Sequence, residues 1–126
     1  MTPSHKERAG FDRIVRATGY SFEGLASAYR NEGAFRQETW AAMLLFPTAF
    51  WLGRSWLEVL LLCGSVLFVM IVELLNSGIE AAIDRISLDR HELSKRAKDQ
   101  ASAAVFLSVM LASGTWFTVI WQRFFA

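Results

Sequence analysis

The stretch Val69–Arg85 reads VMIVELLNSGIEAAIDR: an uncharged apolar run acquires three carboxylates without losing its helical spacing. At about 100° per residue, Glu73, Asn76, Ser77, Glu80 and Asp84 project within an arc of about 100°. Glu73 lies deepest, and Asp84 lies ~16 Å further along the axis at ~1.5 Å per residue. The fourteen residues before Glu73, Val59–Val72, carry no charge. A carboxylate inside such a run costs a few kcal/mol or more in a membrane, and like charges one turn apart repel. Nothing within the helix offsets this. Either basic residues from elsewhere, with Lys98 and Arg13 as candidates, or a divalent cation bound through oxygen must do so. The plainer alternative is that the stripe is the end of a helix already in water. That accounts for Asp84 and extends to Glu80. It accounts poorly for Glu73, which is flanked by Leu74, Leu75 and Ile79.

Outward from this stretch the chain is membrane-like. Hydrophobic residues make up 53% of the 126, and the mean hydropathy is +0.28. Ala101–Gln122 is uncharged throughout and, alone, reaches the ~20 residues that a helix needs to cross ~30 Å of hydrocarbon. Thr39–Leu52 and Val59–Val72 are shorter and must borrow flanking residues. The first extends through Arg36, Gln37 and Glu38, with Arg36 snorkelling toward headgroups. Pro47 falls inside it, where neighbours in a bundle can satisfy the freed carbonyl. Trp40, Trp51, Trp56, Trp116 and Trp121 lie toward span ends, as an interfacial belt would place them. The expected organisation is a single all-α membrane domain. A surface helix over about 10–32 precedes spans over about 36–53, 56–84 (with a cytoplasmic extension) and 100–122.

Lys and Arg are sharply biased in placement. Eleven of 13 fall before the first span or in the segment between the second and third. Only Arg54 and Arg123 fall on the opposite side. The positive-inside rule then predicts a cytoplasmic N-terminus and an external C-terminus. The polar opening of the chain is not a signal peptide. Cys63 is the sole cysteine, which excludes an intrachain disulfide scaffold. No GxxxxGK[ST] phosphate loop occurs, so a nucleotide fold of that kind is excluded too.

Within residues 11–30, Phe11, Ile14, Val15, Thr18, Phe22, Leu25, Ala26 and Tyr29 follow helical spacing. Arg13, Arg16, Tyr20, Glu23, Ser27 and Arg30 fall on the other side. The segment is too polar to cross a bilayer and reads as a helix lying in the interface. Gly19 and Gly24 each weaken it by up to ~1 kcal/mol, which predicts a bend or break. Packing on a soluble core is the alternative for such an amphipathic helix.

ELLNSGIEAAID, at 73–84, resembles the signature of the prokaryotic diacylglycerol kinases. FDRIVRATGYSFEGLASAYRNEGAFRQE (11–38) resembles that family's N-terminal amphipathic region, and HELSKRAKDQASAAV (91–105) its second cytoplasmic loop entering the third span. The resemblance covers nearly the whole chain. Two positions depart from it. Gly78 stands where another small residue is usual, and Phe22 where tryptophan is common, which touches lipid contacts rather than chemistry.

The resemblance implies transfer of the γ-phosphoryl group of MgATP to diacylglycerol in the bacterial inner membrane, by a homotrimer with shared active sites. It implies Glu73 as general base and Mg²⁺ held by Glu32 and Glu80. Arg13, Tyr20, Glu32, Glu80, Asp89, Arg90, His91, Lys98 and Asp99 are implied around the nucleotide. Arg13, Phe22, Glu73, Asn76 and Ser102 are implied around the lipid. Lys95 and Arg96 read better as topology determinants, and His91 alone as a solvated loop histidine. Small residues in the last span, Ala101, Ser102, Ala104, Ser108, Ala112 and Gly114, permit close helix contact without fixing an oligomer number. Two rivals stay open: a related kinase acting on undecaprenol, and a non-enzymatic membrane subunit using Glu73 and Glu80 as a cation site. The basic loop ending at Lys98 argues against the second, because it would repel a permeant cation.

Overall fold

A computed structural model describes residues 5–126, with side chains from residue 9 onward. Among them there are four α-helices and no strand: α1 (His5–Asn31), α2 (Gly33–Leu52), α3 (Trp56–Ile86) and α4 (Glu92–Phe125). α1 runs through Gly19 and Gly24 without interruption, so the break predicted from glycine propensity does not form. Glu32 alone separates α1 from α2, in an extended conformation with φ −116° and ψ 109°.

The α2–α3 turn is short because Gly53 permits it. A Cβ there would lie 2.6 Å from Val59 Cγ2 and 3.1 Å from the Ala49 carbonyl oxygen. Ser55 then caps α3, its hydroxyl accepting from the Glu58 N–H at 3.2 Å, while the Arg54 N–H donates back to Glu58 Oε1 at 3.2 Å. This is a close variant of the reciprocal capping box. At the other end of α3, Ser87 Oγ accepts from the Asp89 N–H at 3.0 Å. His91 Nδ1 then caps α4 by accepting from the Leu93 N–H at 3.0 Å.

α3 and α4 pack along most of their length, with α2 on α3 and α1 more loosely attached. The seams have alternating three- and four-residue spacing, as helices crossing at a shallow angle require. Phe35, Ala42, Ala49 and Leu52 are buried on α2, and Val59, Leu62, Val66 and Glu73 on α3. Ala101, Ser108 and Val119 follow on α4. Trp116 departs from the belt expected at span ends. It packs against the core of Ala49, Leu52, Leu62 and Val119, and its indole N–H donates to Ser65 Oγ at 3.1 Å. Trp51, Trp56 and Trp121 do gather near the helix ends, with Trp51 against Phe124, Trp56 against Phe50, and Trp121 between Phe117 and Phe125.

α3 and α4 are each long and apolar enough to cross a membrane; α2 is 20 residues long but less apolar. The exterior agrees. The chain exposes 9615 Å², against about 6,800 Å² for a compact soluble monomer of its mass. Leu44, Leu57, Leu75, Phe106, Leu107 and Phe117 are among many large apolar side chains left more than half exposed. A surface of this kind is built to face lipid or other protein.

Candidate active site

The buried face of α3 continues from Val59, Leu62 and Val66 to Glu73, which is only 6% exposed. One and two turns on, Asn76 and Glu80 are half-buried, with Asn76 Nδ2 donating to Glu80 Oε1 at 3.5 Å, the outer limit of a hydrogen bond. Asn76 Oδ1 and Ser77 Oγ are buried without a protein partner. Unsatisfied polar atoms in a helix face are costly as pure structure and call for a partner from water, a ligand or a neighbouring chain.

Glu32 approaches this stripe from the α1–α2 joint. Although it occupies the N-cap position of α2, its side chain makes no capping bond. It lines a cavity of about 690 Å³ between α1 and α3, together with Asn31, Leu74, Ser77 and Ala81. Glu32 and Glu80 both lie close enough to Glu73 for the charges to interact. Two carboxylates suit a magnesium ion, which takes few protein oxygens and leaves its other positions to water and phosphate. Among the described residues no group of three His, Cys, Asp or Glu side chains forms a ready-made metal cage.

Further toward the end of α3 lies a second cavity of about 320 Å³, lined by Asp84, Asp89, Arg90, His91, Lys95, Lys98 and Asp99 among others. Five of the expected nucleotide residues thus meet around one space. Lys98 Nζ donates to Asp84 Oδ1 at 2.7 Å, and Lys95 to Asp99 Oδ2 at 2.6 Å. The hydrogen bond to Asp84 holds the Lys98 amine above its ordinary pKa of 10.5, so it stays an ammonium.

Other expected residues stand apart. Arg13, Tyr20 and Phe22 are exposed on α1, and Ser102 is exposed on α4; none lines either cavity. Conversely, Glu38 was read only as a flank of the first span. Its Oε2 is buried and unpartnered. It sits in a mainly apolar groove of about 330 Å³, with Leu45, Val66, Met70, Ala112 and Trp116. The signal was present: Phe35, Glu38, Ala42, Leu45, Ala49 and Leu52 form one three–four seam, and Glu38 is its only charged member.

An α-helical chain with two helices long and apolar enough to cross a membrane, a buried glutamate and an adjoining cavity lined by acidic and basic side chains carries the features of a membrane enzyme. The comparisons narrow this. The family model for prokaryotic diacylglycerol kinase matches residues 19–120. A diacylglycerol kinase of Escherichia coli K12 is 50% identical over 115 residues, covering 91% of this chain and 94% of its own. One from Pseudomonas aeruginosa is 48% identical over 121 residues, covering 95% and 98%. One from Helicobacter pylori is 38% identical over 115 residues, covering 91% and 86%. The chain belongs to the prokaryotic diacylglycerol kinase family. It is accordingly an enzyme, a membrane lipid kinase, and the non-enzymatic reading of its carboxylates is set aside.

Proposed function

We propose that the chain transfers the γ-phosphoryl group of MgATP to the free hydroxyl of diacylglycerol, giving phosphatidate and ADP. The observation that carries this reading is the continuity of α3. One helix runs from the buried Glu73 to a cavity lined by both acidic and basic side chains at Asp84, ~16 Å further along its axis at ~1.5 Å per residue. In this reading a lipid alcohol reaches the first, and a water-borne nucleotide enters at the second with its phosphates directed back along α3 toward Glu80 and Glu73.

Glu73 accepts the hydroxyl proton as the lipid oxygen bonds to the γ-phosphorus, and the bond from that phosphorus to the β–γ bridging oxygen breaks. The freed pair stays on ADP. Asn76 orients Glu73 or a phosphate oxygen. Glu32 and Glu80 would hold Mg²⁺, which when bound would neutralise phosphate charge. Lys98 offsets the charge that grows on the transferring group, while Asp89, Arg90, His91 and Asp99 surround the nucleotide. The apolar groove below Glu38 suits an acyl chain, and the Glu38 carboxyl suits the glycerol end. Arg13, Tyr20, Phe22 and Ser102 stand exposed on a single chain, which fits a homotrimer in which they complete a neighbour's site.

In this reading α2, α3 and α4 all cross the bacterial inner membrane, as spans over about 36–53, 56–84 and 100–122, with α1 in the cytoplasmic interface. The N-terminus is cytoplasmic and the C-terminus external. The deciding assay supplies purified protein in mixed micelles with labelled ATP and either diacylglycerol or undecaprenol. Label appearing chiefly in phosphatidate is the expected result. Label chiefly in undecaprenyl phosphate would reassign the acceptor, and label in neither would remove the reaction.

A further inference from the structure

We infer that Asp84 is the positioning residue for the Lys98 ammonium during phosphoryl transfer, an inference that rests on the assignment of Lys98 to the nucleotide phosphates. Asp84 ends the carboxylate stripe, beyond the depth of the lipid hydroxyl and outside the expected metal pair. The 2.7 Å contact joins residues fourteen apart and ties the end of α3 to the start of α4. Lys98 and Asp84 side chains are 41% and 47% exposed, so solvent screening leaves the pair little value as a clamp. Its location has more consequence than its strength, because both partners line the cavity shared with Asp89, Arg90, His91 and Asp99.

An ammonium carries three N–H donors. Asp84 occupies one and leaves two for phosphate oxygens. Lysine is otherwise a flexible point charge on a four-carbon stem, and a group that must meet developing charge gains from being held before the reaction. The other lysine of the cavity is tied differently. Lys95 pairs with Asp99 one turn away on its own helix at 2.6 Å, so that contact fixes nothing relative to α3. Of the two, Lys98 alone is referenced to the helix that carries Glu73 and Glu80.

The test uses the full-length protein in mixed micelles, with kcat, KM for MgATP and thermal midpoint measured for Asp84→Asn, Asp84→Glu, Lys98→Ala and the charge exchange Asp84→Lys/Lys98→Asp. Misplacing a positioned group costs up to about a hundredfold. Asp84→Asn should therefore lower kcat by roughly tenfold to a hundredfold, with a much smaller change in KM. Asp84→Glu, keeping the charge on a longer stem, should fall between. The exchange should keep a near-native thermal midpoint without a native kcat, because the ammonium then starts from the wrong helix. Normal kcat in Asp84→Asn beside an inactive Lys98→Ala would overturn the inference and leave the role of Lys98 standing. Normal kcat in Lys98→Ala would instead overturn the assignment beneath it. An exchange with native kcat would overturn the inference, since the position of the ammonium would then not matter. Should Asp84→Asn fail to fold, Asp84→Glu with a native midpoint carries the test: lowered kcat supports the inference and unchanged kcat overturns it.

Discussion

Replacing Glu73 with glutamine alters one proton-accepting atom and almost nothing else. The side chain is 6% exposed on the face that buries Val59, Leu62 and Val66, and the amide fills the same volume, so no cavity opens. A general base contributes about 10²–10⁴ in rate, equivalent to about 3–5 kcal/mol of barrier. Turnover should fall by at least about a hundredfold. Most of the residues proposed around the nucleotide, Asp89, Arg90, His91, Lys98 and Asp99, line a separate cavity beyond Glu73, so MgATP should bind with near-normal affinity. A carboxylate at membrane depth costs up to about 3 kcal/mol, so the melting midpoint should hold or rise. Turnover in mixed micelles, MgATP binding and a thermal melt on one preparation read all three quantities. Near-normal turnover in a stable variant would refute the base assignment. Lost folding, with full specific activity in the surviving fraction, would make Glu73 a structural residue.

Glu80→Gln should cripple turnover and raise the magnesium concentration needed for what remains; unchanged metal dependence in a titration would return Glu80 to a structural role. An impermeant thiol reagent should label a cysteine at Ser87 only from the cytoplasmic side and one at Ser55 only from outside, and labelling of both from one face would end the three-span topology. Glu38→Gln should leave the MgATP KM alone but lower kcat/KM for the lipid by on the order of tenfold to a hundredfold, the value of one hydrogen bond to a charged group. A change confined to the nucleotide KM would move Glu38 to the other substrate.

The helices were legible because their signals are loud. Uncharged runs, a proline-tolerant span and a basic loop gave all-α architecture, and the α3 stripe stood out because charge is rare in such runs. Gly19 and Gly24 misled because propensity is a weak prior: each costs up to ~1 kcal/mol, and α1 absorbs both without a break. Trp116 misled for a different reason. Its place near a span end said interface, while Ser65, 51 residues away in sequence, supplied an inward acceptor. Glu38 was obscured by its position at a span mouth, where charges are ordinary. Its inward direction was legible in the α2 seam of Phe35, Ala42, Leu45, Ala49 and Leu52, whereas the groove it enters is formed only once α3 and α4 pack beside it.

The excess of exposed apolar surface has a thermodynamic consequence. For a water-soluble domain, folding ends when the chain has buried its own core. Here the contacts that complete the fold belong to surrounding molecules, so the folded state is linked by mass action to whatever covers the exterior. Dilution into detergent at fixed temperature therefore changes the equilibrium as a denaturant would. A melting temperature is then a property of the chain at a stated lipid-to-protein ratio and chain concentration. Variants such as Glu73→Gln and Asp84→Asn are comparable only when both are held fixed.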